Sequence, residues 1–139
     1  LSYLWEFTYE KKEWFPLLDS LVAWIAEIHD KGILHQDLNV SNILYKELAN
    51  GDFDFQVIDN NRMKFSKNPS MNVRLKNLCR LSVDLELHNY ILKQYAQRVQ
   101  YDCKKTQMKG SFYKLVFEYR QVSKQRIKNI FKKKNYLQT

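Results

Sequence analysis

Residues 16–32 carry the strongest folding instruction in this chain, because they set both the type of an element and its two ends. Pro16 stands at the first turn of a helix, where a missing backbone N–H costs nothing. Leu17, Leu18, Leu21, Val22, Ile25 and Ile28 follow at helical spacing, and Gly32 ends the run as a C-terminal cap. The helix delivers the chain into "ILHQDLNVSNILY", residues 33–45. His35, Asp37, Asn39, Ser41 and Asn42 crowd into eight positions there, and apolar Ile43, Leu44 and Tyr45 follow at once. A turn needs one or two such short polar groups. Five need a further reason.

The rest of the chain frames that loop. "NILYKEL" and "DFQVID" are strand candidates around "ANGD", and Asn50-Gly51 is a strong hairpin-turn signal. Residues 60–72 read as a polar loop with Pro69. From Val73 the pattern is helical again: Leu75, Leu78, Leu81 and Leu85, then Ile91, Leu92, Tyr95 and Val99, predict two helices or one bent one. "DCKKTQMKGS" reads as a linker. A last helix over about 112–132 places Phe112, Val116, Tyr119, Ile127, Ile130 and Phe131 on one side, expected to be core. His29 and His88 fall in helical stretches as ordinary surface or half-buried residues. Residues 1–10, with Tyr3, Trp5, Phe7, Thr8 and Tyr9, favour a strand or extended segment. The fold class expected is α+β, mostly helical, with one small hairpin.

Composition narrows the functions. The chain of 139 residues suits one domain or one lobe, and 45% hydrophobic residues make it globular. No apolar run reaches the roughly 18–20 residues a membrane-crossing helix needs. Cys79 and Cys103 lack metal-ligand spacing and read as two reduced, intracellular thiols. "LSYLWEFTYE" has no basic leader region and no initiator Met, so the chain reads as cut from something longer. The net charge of +8 is unevenly placed: residues 1–90 hold 10 Lys or Arg against 13 Asp or Glu, and residues 91–139 hold 13 against 2. The basic tail reads either as a solvated helix face or as an element that lies on anionic lipid. Nucleic-acid binding is disfavoured, because no recognition motif accompanies the charge.

A loop ending in Asn42, followed by a hairpin ending in Asp59, meets the demands of phosphoryl transfer. That reaction asks a protein for position and charge more than for covalent chemistry. One carboxylate must orient a hydroxyl and accept its proton; other oxygens must hold Mg²⁺ against nucleotide phosphates. Asp37 is then the base, Asn42 and Asp59 the metal ligands, and His35 and Asn39 the groups that fix the loop. "HQDLNVSN" agrees with the kinase catalytic-loop pattern H-x-D-L-x-x-x-N at every fixed position.

With "FQVIDNNRMKF" and "RLKNLCRLS" added, roughly residues 15–85 resemble the lipopolysaccharide kinase family, of the Kdo and heptose kinase type, within the protein-kinase-like superfamily. The resemblance implies the C-terminal lobe of a kinase-like fold: a strand- or hinge-like start over 1–14, a catalytic-loop core over 15–90 and a basic helical tail over 91–139. It implies Asp37 and His35 as catalytic residues, Asn42 and Asp59 as Mg²⁺ ligands, and Asn39 and Arg62 as substrate or loop support. The expected reaction is phosphorylation of a sugar hydroxyl on a lipid A–core glycolipid from ATP. It would take place on the cytoplasmic side, with contact at the inner face of the inner membrane. Gln36 in place of the usual Arg, and Asn60-Asn61 after Asp59, set the chain apart from protein kinases. With Gly only at 32, 51 and 110, no Gly-rich phosphate loop is present, so the nucleotide-covering lobe is expected to be absent from this chain. The alternative is a non-catalytic kinase-like module that binds a protein partner or an anionic lipid surface.

Overall fold

Helix α1 spans Phe15–Asp30 with Pro16 in its first turn, and buries Leu17, Leu18, Leu21, Val22, Ile25, Ala26 and His29. The computed structural model describes residues 14–81 and 83–136; the extended segment expected over residues 1–10 lies outside them. Gly32 follows the helix at φ +77, in the left-handed region that glycine enters at no steric cost. The position is doubly constrained. A Cβ there would collide with the backbone carbonyl of Ser66, whose N–H donates to the Gly32 carbonyl at 2.8 Å. Gly32→Ala is therefore expected to cost about 3 kcal/mol, from the left-handed backbone and the collision together. A lowered urea midpoint at unchanged slope would register it.

Two short antiparallel pairs flank the polar loop. Strand β1 (Ile33–His35) pairs with β4 (Met63–Phe65), with His35 opposite Met63. Strands β2 (Ile43–Glu47) and β3 (Phe53–Val57) form the hairpin expected around Asn50-Gly51, with Ile43 opposite Val57 and Tyr45 opposite Phe55. Its connection closes through Gly51 N–H to the Leu48 carbonyl at 2.9 Å, with the Asn50 amide on Asp52. One face of the hairpin packs on α1, where Trp24 lies 5.7 Å from Phe55 between ring centroids. By strand alternation the other face carries Asn42, Leu44, Gln56 and Ile58. Leu44 and Ile58 are 50% and 41% exposed.

Residues 60–72 are not simply a polar loop. They hold a 3₁₀ turn, Asn60–Arg62, and strand β4, which is too short to show an alternation pattern. The two helices expected after Val73 are α2 (Met71–Leu78) and α3 (Leu85–Arg98). Asp84 caps α3 by accepting the Leu87 N–H at 2.8 Å. Helix α4, Cys103–Tyr136, corrects two expectations. The stretch read as a linker is its first turns, started by Asp102, whose carboxylate accepts the Lys105 N–H at 2.7 Å. Gly110, inside that stretch, is a point of close approach: a Cβ there would lie 2.5 Å from Leu92 Cδ2 of α3.

The second correction concerns the core face of α4. Phe112, Tyr119, Ile127 and Ile130 are 54–75% exposed, while Thr106, Gly110 and Lys114 turn inward. Small and tethered groups win the inner face because α3 leaves no room there. Lys114 donates to the Leu81 carbonyl at 3.2 Å and pairs with Glu118 at 2.9 Å. Lys76 of α2 and Arg80, just beyond its end, stack over Tyr113 and Phe117.

His29 and His88 are not surface residues; both are 0% exposed. Burial pushes each imidazole down to about 4. Among the described residues neither ring nitrogen of His88 has a hydrogen-bond partner of good geometry, and the Gly110 backbone only partly offsets its desolvation. The folded state keeps both rings neutral, whereas the unfolded chain protonates them near their ordinary value. Stability therefore falls as pH drops from about 6.5 to about 4, by up to about 3 kcal/mol per ring, and these groups contribute no further loss below that. His88→Leu should flatten this slope without lowering the urea midpoint at pH 7.5. A variant with the parent's full acid sensitivity would show that His88 carries none of it.

Candidate active site

The polar loop is held from beneath by its own apolar residues. Leu38 and Val40 are buried in the core, 0% and 4% exposed, so the alternate positions Asp37, Asn39 and Ser41 are carried on the rim. Asn39 shapes the next turn, accepting the Ser41 N–H on its side-chain oxygen at 3.3 Å. The Asn42 N–H donates to the Asn39 carbonyl at 2.9 Å, and Asn42 Nδ2 donates to the Asp37 carbonyl at 3.0 Å. That bond fixes the Asn42 amide and leaves its Oδ1 on the opposite side. The Ile58 N–H donates to the Asn42 carbonyl at 2.9 Å, extending the hairpin ladder to the residue before Asp59.

His35 joins the two halves. It is fully buried, and its Nδ1 accepts the Asp37 N–H at 3.2 Å. The proton therefore sits on Nε2, which faces the carbonyls of Ile58 and Asp59 at 3.1 and 3.2 Å. One imidazole thus ties the backbone of Asp37 to the backbone of Asp59. Both ring nitrogens are engaged in holding this geometry.

Asp59 sits at φ 61, ψ 54, left-handed and without glycine's freedom. Such a backbone costs on the order of 1 kcal/mol and persists where its surroundings impose it. Here the Arg62 N–H closes the turn on the Asp59 carbonyl at 3.1 Å, and the Gln36 N–H binds the Arg62 carbonyl at 2.7 Å. Arg62 Nε stands 3.6 Å from Asp59 Oδ2, with both side chains well exposed, a contact worth little on its own. Every residue singled out for the site (His35, Asp37, Asn39, Asn42, Asp59 and Arg62) belongs to this one joined pair of loops.

Sequence reasoning did not find what stands behind it. Asn77 of α2, 4% exposed, donates through Nδ2 to the His35 carbonyl at 2.7 Å. Its Oδ1 accepts from His29 Nε2 at 3.0 Å, and His29 Nδ1 accepts from the Tyr95 hydroxyl at 2.8 Å. Burial pushes the Tyr95 phenol up to about 12, so it remains a donor. Arg74 lies at the far end, 3.5 Å from the Tyr95 oxygen and 2.6 Å from Asp30 Oδ1, with its Nε on the Pro69 carbonyl. All donors point one way: Arg74, Tyr95, His29, Asn77, then His35. The visible signal was a set of polar residues lying on the apolar stripes of helices.

The donor set suits magnesium. An amide oxygen from Asn42 and a carboxylate from Asp59 are the donor types that Mg²⁺ takes when it shares its shell with nucleotide phosphates. Among the described residues no three His, Cys, Asp or Glu side chains converge into a closed metal cage. A cavity of about 440 Å³ between Trp14, Leu17, Tyr45 and Phe53 lies on the other face of the hairpin, and another of about 660 Å³ lies between α1 and Arg98. Neither is lined by Asp37, Asn42 or Asp59.

Helices around a short hairpin, with a polar loop at one end and an aspartate turn at the other, define an α+β lobe of the protein-kinase-like type. The model of the lipopolysaccharide kinase (Kdo/WaaP) family matches residues 5–106, and the chain belongs to that family. A solved structure described as WaaP in complex with acyl carrier protein is similar in fold, with a TM-score of 0.55 and 19% identity. The similarity covers 78% of this chain and 48% of that one, so the chain spans about half the length of its structural neighbour. No curated protein matches it.

Proposed function

We propose that this chain is the catalytic lobe of an ATP-dependent kinase that phosphorylates a sugar hydroxyl on a lipopolysaccharide-core glycolipid. The observation that carries the reading is the His35 hinge, which binds the Asp37 N–H and faces the Asp59 carbonyl at the same time. Asp37 orients the acceptor hydroxyl and takes its proton. Asn42 and Asp59 would hold Mg²⁺, which when bound neutralises charge on the nucleotide phosphates. Leu44 and Ile58, exposed on the face that leads to these residues, offer an apolar floor for the nucleotide base. Arg62 stands free enough at the rim to meet an anionic group of the acceptor. An acceptor of this kind is embedded in the inner leaflet, which places the reaction at the cytoplasmic face of the inner membrane.

The test is transfer of the γ-phosphoryl group from Mg–ATP to a purified core glycolipid, followed by mass spectrometry, with the chain in its full natural length. The expected product gains one phosphate on a sugar. Binding of glycolipid with no phosphate gain, under conditions where nucleotide also binds, would favour the non-catalytic module instead.

A further inference from the structure

We propose that the outward face of α4 docks the chain on an anionic bilayer. The destination rests on the reading above, since an acceptor held in a membrane gives docking a purpose; the physical basis is separate. Met108, Phe112, Leu115, Tyr119 and Val122 recur every three or four residues along one stripe of α4, and Ile130 continues it. They are 51–75% exposed and lie opposite the Thr106, Gly110 and Lys114 side that packs against the body. An apolar stripe of this regularity is ordinarily core. Here it cannot be, because the small-residue approach of Gly110 to Leu92 and the Lys114 bond to Leu81 fix the rotation of the helix the other way.

Charge decides what covers the stripe. Helix α4 holds eleven Lys or Arg and one acidic residue, Glu118, which is already paired with Lys114. By helical spacing Lys105, Lys109 and Arg120 border the stripe on one side, Lys104 lies at its other edge, and Arg126 falls within it. A second copy laid along this seam would set cations against cations with no acidic residue to answer them. A groove in a partner protein takes an anchor set of a few turns. This stripe runs much of the length of a helix about 50 Å long. An anionic interface meets both features: apolar side chains sink into the headgroup boundary, and the bordering cations meet lipid phosphates at the surface.

The experiment is co-sedimentation of the full chain with vesicles of phosphatidylcholine alone or with phosphatidylglycerol, at low and at molar salt. Two variants accompany it: Phe112→Gln with Tyr119→Gln, and Lys105→Glu with Lys109→Glu and Arg120→Glu. Both use good helix formers, and circular dichroism checks that α4 persists. The parent should bind the anionic vesicles at least about tenfold better than the neutral ones, and lose that advantage in molar salt. Each variant should lose at least about tenfold in binding. Should a variant unfold, the lipid and salt comparison on the parent still decides. Equal binding to both vesicle types, or none, overturns the proposal. So does a dimer by sedimentation equilibrium that the glutamine pair dissociates, or salt-sensitive capture on polyglutamate with no uptake on vesicles. Binding is scored without turnover, so a chain that docks but transfers no phosphate would sink the kinase reading alone.

Discussion

Asp37→Ala and Asp59→Gly should each lower phosphate transfer by about a thousandfold or more, and they should do so in different ways. Asp37 makes its loop contacts through the backbone, its N–H to His35 and its carbonyl to Asn42, so the alanine leaves the fold in place. On the proposed reading its loss would remove the proton acceptor, which should lower kcat while nucleotide binding stays near the parent value. On the proposed reading Asp59 would give a carboxylate to the metal, so its loss should raise the magnesium requirement as well as lower kcat. Glycine is the informative replacement, because position 59 is left-handed. Asp59→Gly relieves that backbone and should raise stability by up to about 1 kcal/mol while abolishing transfer. A denaturation midpoint that moves up as activity disappears would separate a functional carboxylate from a structural one. Parent-like turnover in either variant removes the kinase mechanism.

Asn77→Leu should be the most damaging substitution away from the loop itself. It strands two buried groups, the His29 Nε2 donor and the His35 carbonyl, at about 1–3 kcal/mol each, so about 4 kcal/mol in all. Tyr95→Phe keeps both of these bonds and removes only the far hydroxyl, and should cost about 1–2 kcal/mol. If the relay positions the catalytic loop, Asn77→Leu assayed well below its unfolding temperature should lower kcat with little change in nucleotide KM. A variant that loses stability yet keeps the parent's kcat would make Asn77 a core residue and nothing more.

Local chemistry explains why some of this was legible. The helix from Pro16 to Gly32 could be read because its stripe, its opening residue and its closing residue all agree. Position 32 in turn favours glycine twice over, by its left-handed backbone and by the Ser66 carbonyl that a Cβ would strike. The hairpin could be read because Asn50-Gly51 lies between two strand-prone runs. The site residues are close in sequence, and the loop that carries them is short enough to be a motif. By contrast β1 and β4 hold three residues each, and they pair across about thirty positions. A three-residue strand has no periodicity to detect, so only closure of the fold reveals it.

The sequence by itself determined the amphipathic helices, the turn chemistry and the clustering of His35, Asp37, Asn42 and Asp59 around one hairpin, because each depends on neighbours within a few turns of chain. Tertiary structure alone decided which stripe of α4 faces inward. It also decided that His29 and His88 lose their water, and that Asn77, Tyr95 and Arg74 stand in line behind the polar loop. Those outcomes depend on which surfaces meet across forty to seventy positions, as in the His29 bonds to Asn77 and Tyr95. Burial and hydrogen-bond partnership belong to pairs of surfaces, and a residue's own neighbours in the chain do not carry that information.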